Sequence, residues 1–136
     1  MQPNPKAEGE RWLRQAKSDL DDAGYTLEGK RFHLACFLAQ QAAEKALKAF
    51  IYSQGEEEVY GHSVAELCEL AKEFDSDFSN LKRKIAPLDK YYIPTRYPDG
   101  LPGGIPAEAF DEPDAQRALE LGSLVVEFIE KKLQEG

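Results

Sequence analysis

The chain has 136 residues, 25 of them acidic and 17 basic, for a formal net charge of −8. That length predicts one domain over residues 1–136, large enough to bury one sizeable core. The acidic balance argues against a protein that coats nucleic acid by bulk charge and makes RNA an unlikely partner, while leaving room for a local basic pocket.

The opening MQPNPKAEGER has no apolar core, so no signal peptide is expected. No apolar run approaches the length of a membrane span, and a cytoplasmic protein with no membrane contact is the expectation. The first predicted helix runs from about Gly9 to Glu28. Trp12, Leu13, Ala16, Leu20, Ala23 and Leu27 form its apolar stripe, and Gly29 follows as a stop.

The second helix is predicted from about Arg31 to Gln54. Its core face is Phe32, Ala35, Leu38, Ala39, Ala42, Ala43, Ala46, Leu47 and Phe50. A row of alanines favours helix and lets a neighbouring helix come close. The opposite face carries His33, Gln40, Gln41, Glu44, Lys45 and Lys48. Gln41, Glu44, Lys45 and Lys48 fall within about 100° on the helical wheel. One reading is a solvated face with a Glu44–Lys48 charge pair. The other brings Lys45 or Lys48 to a bound phosphate.

The third helix opens at HSVAEL, where Ser63 and Glu66 have the spacing of a capping box. His62 precedes that cap, either packed at the helix entry or beside amide donors that suit an anion. The fourth helix spans about Phe78 to Tyr92, with Pro87 inside it predicting a kink or an interruption. The fifth begins near Pro113, with Ala115, Ala118, Leu119, Gly122, Val125, Val126, Ile129 and Leu133 on one face. Leu121, Leu124 and Phe128 lie off that stripe, and are either a patch for a partner, most simply a second copy, or scattered exposed apolar residues. Cys36 and Cys68 lack any metal spacing and read as buried, reduced thiols. No metal site, nucleophile triad or phosphate-binding glycine loop is visible, so no catalytic residue is assigned and none of these patterns points to an enzyme.

About twenty residues, 93–112, show no helical pattern, and such a loop in a compact domain often carries function. YYIPTRYPDG at its head sets Arg96 between Pro94 and Pro98, which restrict the backbone on both sides. A guanidinium suits bidentate phosphate contact and stacks on aromatic planes. Tyr91, Tyr92 and Tyr97 are candidate stacking faces for a base. The plainer alternative is a turn locked by an ion pair from Arg96 to Asp99 or Asp89.

Four stretches in order carry a family resemblance: W-L-x-Q-A-x-x-D-L at Trp12 to Leu20, FLAQQAAEKALKAF at Phe37 to Phe50, GHSVAEL at Gly61 to Leu67, and LDKYYIPTRYPDG at Leu88 to Gly100. The chain resembles HEPN domains, the nucleotide-binding domains of higher eukaryotes and prokaryotes, over nearly its whole length. The resemblance implies an all-α, up-and-down bundle of four to five helices. It also implies a homodimer and a minimal nucleotidyltransferase partner, in the manner of a toxin–antitoxin system. Some relatives are ribonuclease toxins that use an arginine followed four to six residues later by a histidine. Arg96 has no histidine at that distance, so the chain is more similar to the branch bearing Arg-Tyr-Pro-Asp. The expected site is a nucleotide cleft, for ATP or GTP, lined by Arg96, Tyr97, Tyr92, Tyr91, Asp99, His62, Lys45, Lys48, Gln41 and Glu44. Two alternatives remain: a ribonuclease toxin of the same fold with His62 as a displaced base, and a non-catalytic dimeric interaction protein.

Overall fold

A computed structural model describes residues 4–136. Its α-helices are α1 (Pro5–Glu28), α2 (Phe32–Ser53), α3 (Val64–Ala71), α4 (Phe78–Ile85), α5 (Pro106–Ala109) and α6 (Glu112–Glu135). Short 3-10 helices cover Ala86–Tyr91 and Pro98–Gly100. The architecture is an all-α bundle. Three long helices, α1, α2 and α6, make its body; the short pair α3 and α4 packs at one side.

Helix α1 starts one turn earlier than its apolar stripe implies. Asn4 accepts hydrogen bonds from the amides of Lys6 and Ala7, and Pro5 supplies a ready-made first-turn dihedral. The chain turns back through Lys30, at φ 60°, so α1 and α2 form a tight hairpin. Helix α6 begins at Glu112, one residue before Pro113, with a capping box between Asp111 and Asp114. The proline interruption occurs as predicted. Helix α4 ends at Ile85, and the chain tightens into a 3-10 helix containing Pro87.

Helix α2 is the central element, touching α1, α3, α5, α6 and the 3-10 helix at 86–91. Ala35, Ala39, Ala42, Ala43, Ala46 and Ala49 are fully buried. Their small side chains let neighbours approach. A Cβ on Gly9 of α1 would lie 2.8 Å from the Ala49 carbonyl oxygen, and one on Gly122 of α6 would lie 3.1 Å from that of Ala39. The predicted solvated face of α2 does not exist as such. Gln40, Glu44 and Lys48 are buried: the segment after α2 returns over Gln40 and Glu44, and Trp12 of α1 lies beside Lys48.

The expected apolar patch on α6 also changes. Leu121 and Phe128 pack against the core, and only Leu124 of the three is exposed. The Phe128 ring meets Phe78 edge-on at 5.1 Å, and Phe78 packs on Phe50 at 4.5 Å. These ring contacts tie α4 to both α2 and α6. The segment 93–112 is shorter on irregular structure than predicted, since α5 and the 3-10 turn at 98–100 lie within it.

Candidate functional site

The site is built on one face of α2. Gln40 donates from Nε2 to the His62 carbonyl at 2.9 Å, tying the α2–α3 connection to the helix. Gln41 donates to the Gln40 Oε1 at 2.8 Å and to Glu44 Oε1 at 3.2 Å. The Glu44 carboxylate then lies 3.2 Å from His62 Nδ1 and receives Lys48 Nζ at 3.1 Å. Glu44 and Lys48 are almost fully enclosed, while over half of the His62 side chain remains exposed. A buried pair of this kind holds together through mutual compensation, and removing one partner costs about 3–5 kcal/mol. His62 is therefore an accessible imidazole held from behind by a fixed carboxylate.

The second half of the site comes from the turn at 91–100. Thr95 is buried and donates its hydroxyl to the carbonyls of Tyr91 and Tyr92. The amides of Arg96 and Tyr97 both donate to the Ile93 carbonyl. Gly100 closes the loop, since a Cβ there would sit 3.0 Å from Pro94 Cα. These contacts fix where Arg96 emerges. Its guanidinium carbon lies 4.7 Å from the ring centres of Phe37 and Tyr92 and 5.0 Å from that of Tyr97. Tyr92 also stacks on the His62 ring, at 4.7 Å with planes 16° apart. A continuous series of contacts thus runs from Lys48 through Glu44, His62 and Tyr92 to Arg96.

The alternative of a turn locked by an arginine–carboxylate pair is overturned. Among the described residues Arg96 has no ion pair; it rests on aromatic faces. Asp99 stands exposed on the 3-10 turn. Asp89 is committed elsewhere. It receives the Ser63 hydroxyl at 2.7 Å and the amides of Val64 and Ala65 at 2.7 and 3.3 Å. The anion expected at the start of α3 is therefore this carboxylate of the chain itself. Ser63 still accepts from the Glu66 amide at 3.1 Å, but the reciprocal bond of the predicted capping box is not among those formed by Glu66.

The predicted site residues separate into two groups. Arg96, Tyr92, Tyr97, His62, Glu44 and Gln41 come together, with Lys48 held behind Glu44. Lys45 instead pairs with buried Asp19 of α1 at 2.6 Å, so its charge is used within the bundle. Tyr91 is buried against Phe110, which raises its phenol pKa through loss of solvation. The sequence reading missed Phe37, Gln40 and Asp89. Phe37 lies one helical turn before Gln41, so the α2 spacing alone could have found it. Asp89 acts on amides about 25 residues away, and no local pattern signals that.

Burial likewise governs the thiols. Cys36 and Cys68 are buried and unpaired, and desolvation pushes both up to about 12. Among the described residues no cluster of metal-ligating side chains occurs. No helix among them is long and apolar enough to cross a membrane.

A helical bundle with an exposed arginine lying against aromatic rings beside a histidine–glutamate pair defines a small all-α domain with a polar-aromatic surface patch. The HEPN domain model matches residues 9–132, and the chain belongs to that family. Similar solved structures include the following two. One is TT1696 from Thermus thermophilus, 38% identical with a TM-score of 0.79, over 92% of this chain and 98% of that one. The other is ST0689, an archaeal HEPN homologue, 34% identical with a TM-score of 0.76, over 93% and 98%. Among curated proteins, human sacsin is 27% identical over 97% of this chain, although the match spans only 3% of sacsin. The protein named "Putative toxin MJ1304" of Methanocaldococcus jannaschii is 26% identical over 91% of this chain and 87% of its own length.

Proposed function

We propose that this domain binds a nucleotide, such as ATP or GTP, at the exposed Arg96 patch. The observation that carries the reading is a guanidinium within 5.0 Å of three aromatic ring centres, with no carboxylate partner among the described residues. Its edge is free to take a phosphate in a bidentate geometry, and exposed Tyr97 offers a face to a base. In this reading the chain belongs to the Arg-Tyr-Pro-Asp branch. It is a cytoplasmic homodimer that acts with a minimal nucleotidyltransferase in a toxin–antitoxin-like pair, and the similarity to a protein named as a toxin supports that setting. Calorimetric titration of ATP and GTP into wild type and Arg96→Ala tests the patch. Heats that vanish in the variant support it; equal heats, or none from either protein, remove it.

A second reading rests on the His62–Glu44 contact at 3.2 Å. An imidazole oriented by a carboxylate has the arrangement of a general base, and Arg96 shares the Tyr92 ring with it. In that reading the chain is a ribonuclease toxin with a displaced base. Cleavage of RNA by the purified protein, abolished by both His62→Ala and Arg96→Ala, would favour it over simple binding. Intact RNA in all three samples would dismiss it.

A further inference from the structure

Away from the Arg96 patch, α3 and the loop before it frame a groove that the proposed function does not use. Tyr60, Leu70 and Phe74 are 75%, 50% and 43% exposed, and all three line a hollow of about 380 Å³ floored by Ile51 and Val59. A second hollow of about 380 Å³ continues it past Leu70 and Tyr60 to Leu67. Contiguous apolar surface of this kind marks a docking site more often than isolated exposed residues do.

The rim is acidic. Glu56, Glu58 and Glu73 border the first hollow, and Glu66 and Glu73 the second. Lys72 feels the charge of Glu73, but no neighbouring cation among the described residues forms an ion pair with these carboxylates. Lys72 and Lys82 both turn to Glu69, at 2.8 and 2.7 Å, and among the described residues Glu56, Glu58, Glu66 and Glu73 have no cationic partner. An apolar floor with an unbalanced acidic rim selects against anionic lipid and nucleic acid. A two-fold self-contact would also set this rim against its own copy, in a chain of net charge −8.

We infer that the groove formed by Tyr60, Leu70 and Phe74 docks a basic amphipathic helix from another polypeptide. Its apolar side chains would fill the two hollows, and its lysines or arginines would meet the four carboxylates that lack an ion-pair partner, of which Glu58 also accepts the Tyr60 hydroxyl. This is helix-in-groove recognition with the charge pattern fixed by the receptor.

The test uses a fluorescein-labelled peptide of leucine and lysine, about five helical turns long and patterned as an amphipathic helix. A scrambled peptide of the same composition is the comparison. Wild type should bind the patterned peptide at least about tenfold more tightly than the scrambled one, by fluorescence anisotropy. Leu70→Ser and Glu73→Lys should each weaken binding about tenfold or more. Asp21→Lys, on exposed α1, makes the same charge change as Glu73→Lys and should weaken it less than about twofold. Equal loss in Glu73→Lys and Asp21→Lys, or equal binding of the two peptides, would reduce the effect to bulk charge and overturn the inference. So would unaltered binding by Leu70→Ser. A wild-type dimer that Leu70→Ser converts to monomer in sedimentation would assign the groove to self-association instead. Circular dichroism of each variant confirms that these surface changes leave the bundle folded.

Discussion

The imidazole of His62 stacks on the phenol ring of Tyr92, with centroids 4.7 Å apart and planes 16° from parallel. The two are far apart in the chain, and each is fixed by a different device. Gln40 holds the His62 backbone, while Thr95 and the Ile93 turn hold the segment bearing Tyr92. The stack joins the histidine–glutamate pair to the arginine patch. Any ligand at Arg96 therefore sits beside His62.

Arg96→Lys separates charge from shape. Lysine keeps the cation but loses the planar fork and the broad guanidinium that lies near three rings. Nucleotide affinity should fall about tenfold in Arg96→Lys and about ten- to a hundredfold in Arg96→Ala, as expected for one charge-assisted contact. If both variants instead bind as wild type but melt several degrees lower, the ring contact is a structural lock and the patch is not a nucleotide site.

Asp89→Ala strips the start of α3 of three hydrogen bonds from its hydroxyl and amides. The expected cost is about 1–3 kcal/mol, from the lost cap and its charge at the helix N-terminus. Asp89→Asn should cost less, because an amide oxygen still accepts. Urea denaturation with an unchanged slope measures both; a cost below about 0.3 kcal/mol for the alanine variant would refute the capping role.

Two glycines of α1 should respond to alanine in opposite directions. A Cβ at Gly24 meets nothing within 4 Å, so Gly24→Ala should add about 0.5–1 kcal/mol from helix propensity. A Cβ at Gly9 would meet the Ala49 carbonyl at 2.8 Å and the Ser53 Cβ at 2.9 Å. Backbone must move to admit it, and Gly9→Ala should cost about 1–3 kcal/mol. Thermal melts of the two variants would contradict this packing if they shifted the same way.

Stability should decline in acid partly through Glu69. Hydrogen bonds from Lys72 and Lys82 hold its carboxyl at about 2, below its ordinary 4.5. Asp75 is also lowered, by Lys132 and the Asp77 amide, a contact that ties the α3–α4 connection to α6. A depressed folded pKa contributes stability that is complete above the unfolded value and lost as pH falls through the folded one. The window for Glu69 therefore runs from about 4.5 down to about 2. Glu69→Gln should flatten the fall of melting temperature across that window and leave its slope near neutrality unchanged. The effect will be modest, because both carboxylates are solvent-accessible and screened. A wild-type slope identical to the variant's below about pH 4 would discount the pairing.

Much of the fold was legible in the chain itself. Periodic apolar residues placed the three long helices, and Pro87 marked the break after α4. Half of the site was legible too, since Arg96, the tyrosines and His62 stand in recognisable motifs. The errors share one cause. Lys45, Lys48 and Glu44 look like an exposed charged face because a helical wheel records only directions around an axis. What covers each direction depends on segments that return from elsewhere in the chain. Asp19 from α1 claims Lys45, and the loop before α3 covers Glu44. Phe128 seemed spare for the same reason, and α4 supplies its neighbour Phe78.

Local chemistry by itself determined the three long helices, the break at Pro87, and that a stiff turn carries an arginine. Dihedral restriction, capping and period are properties of neighbouring residues, so they are written along the chain. Only the tertiary structure decided that this arginine lies on Phe37, that Asp89 fills the start of α3, and that Glu44 is buried behind His62. Those contacts join residues tens of positions apart, and their partners are set by how the helices pack around the alanines of α2.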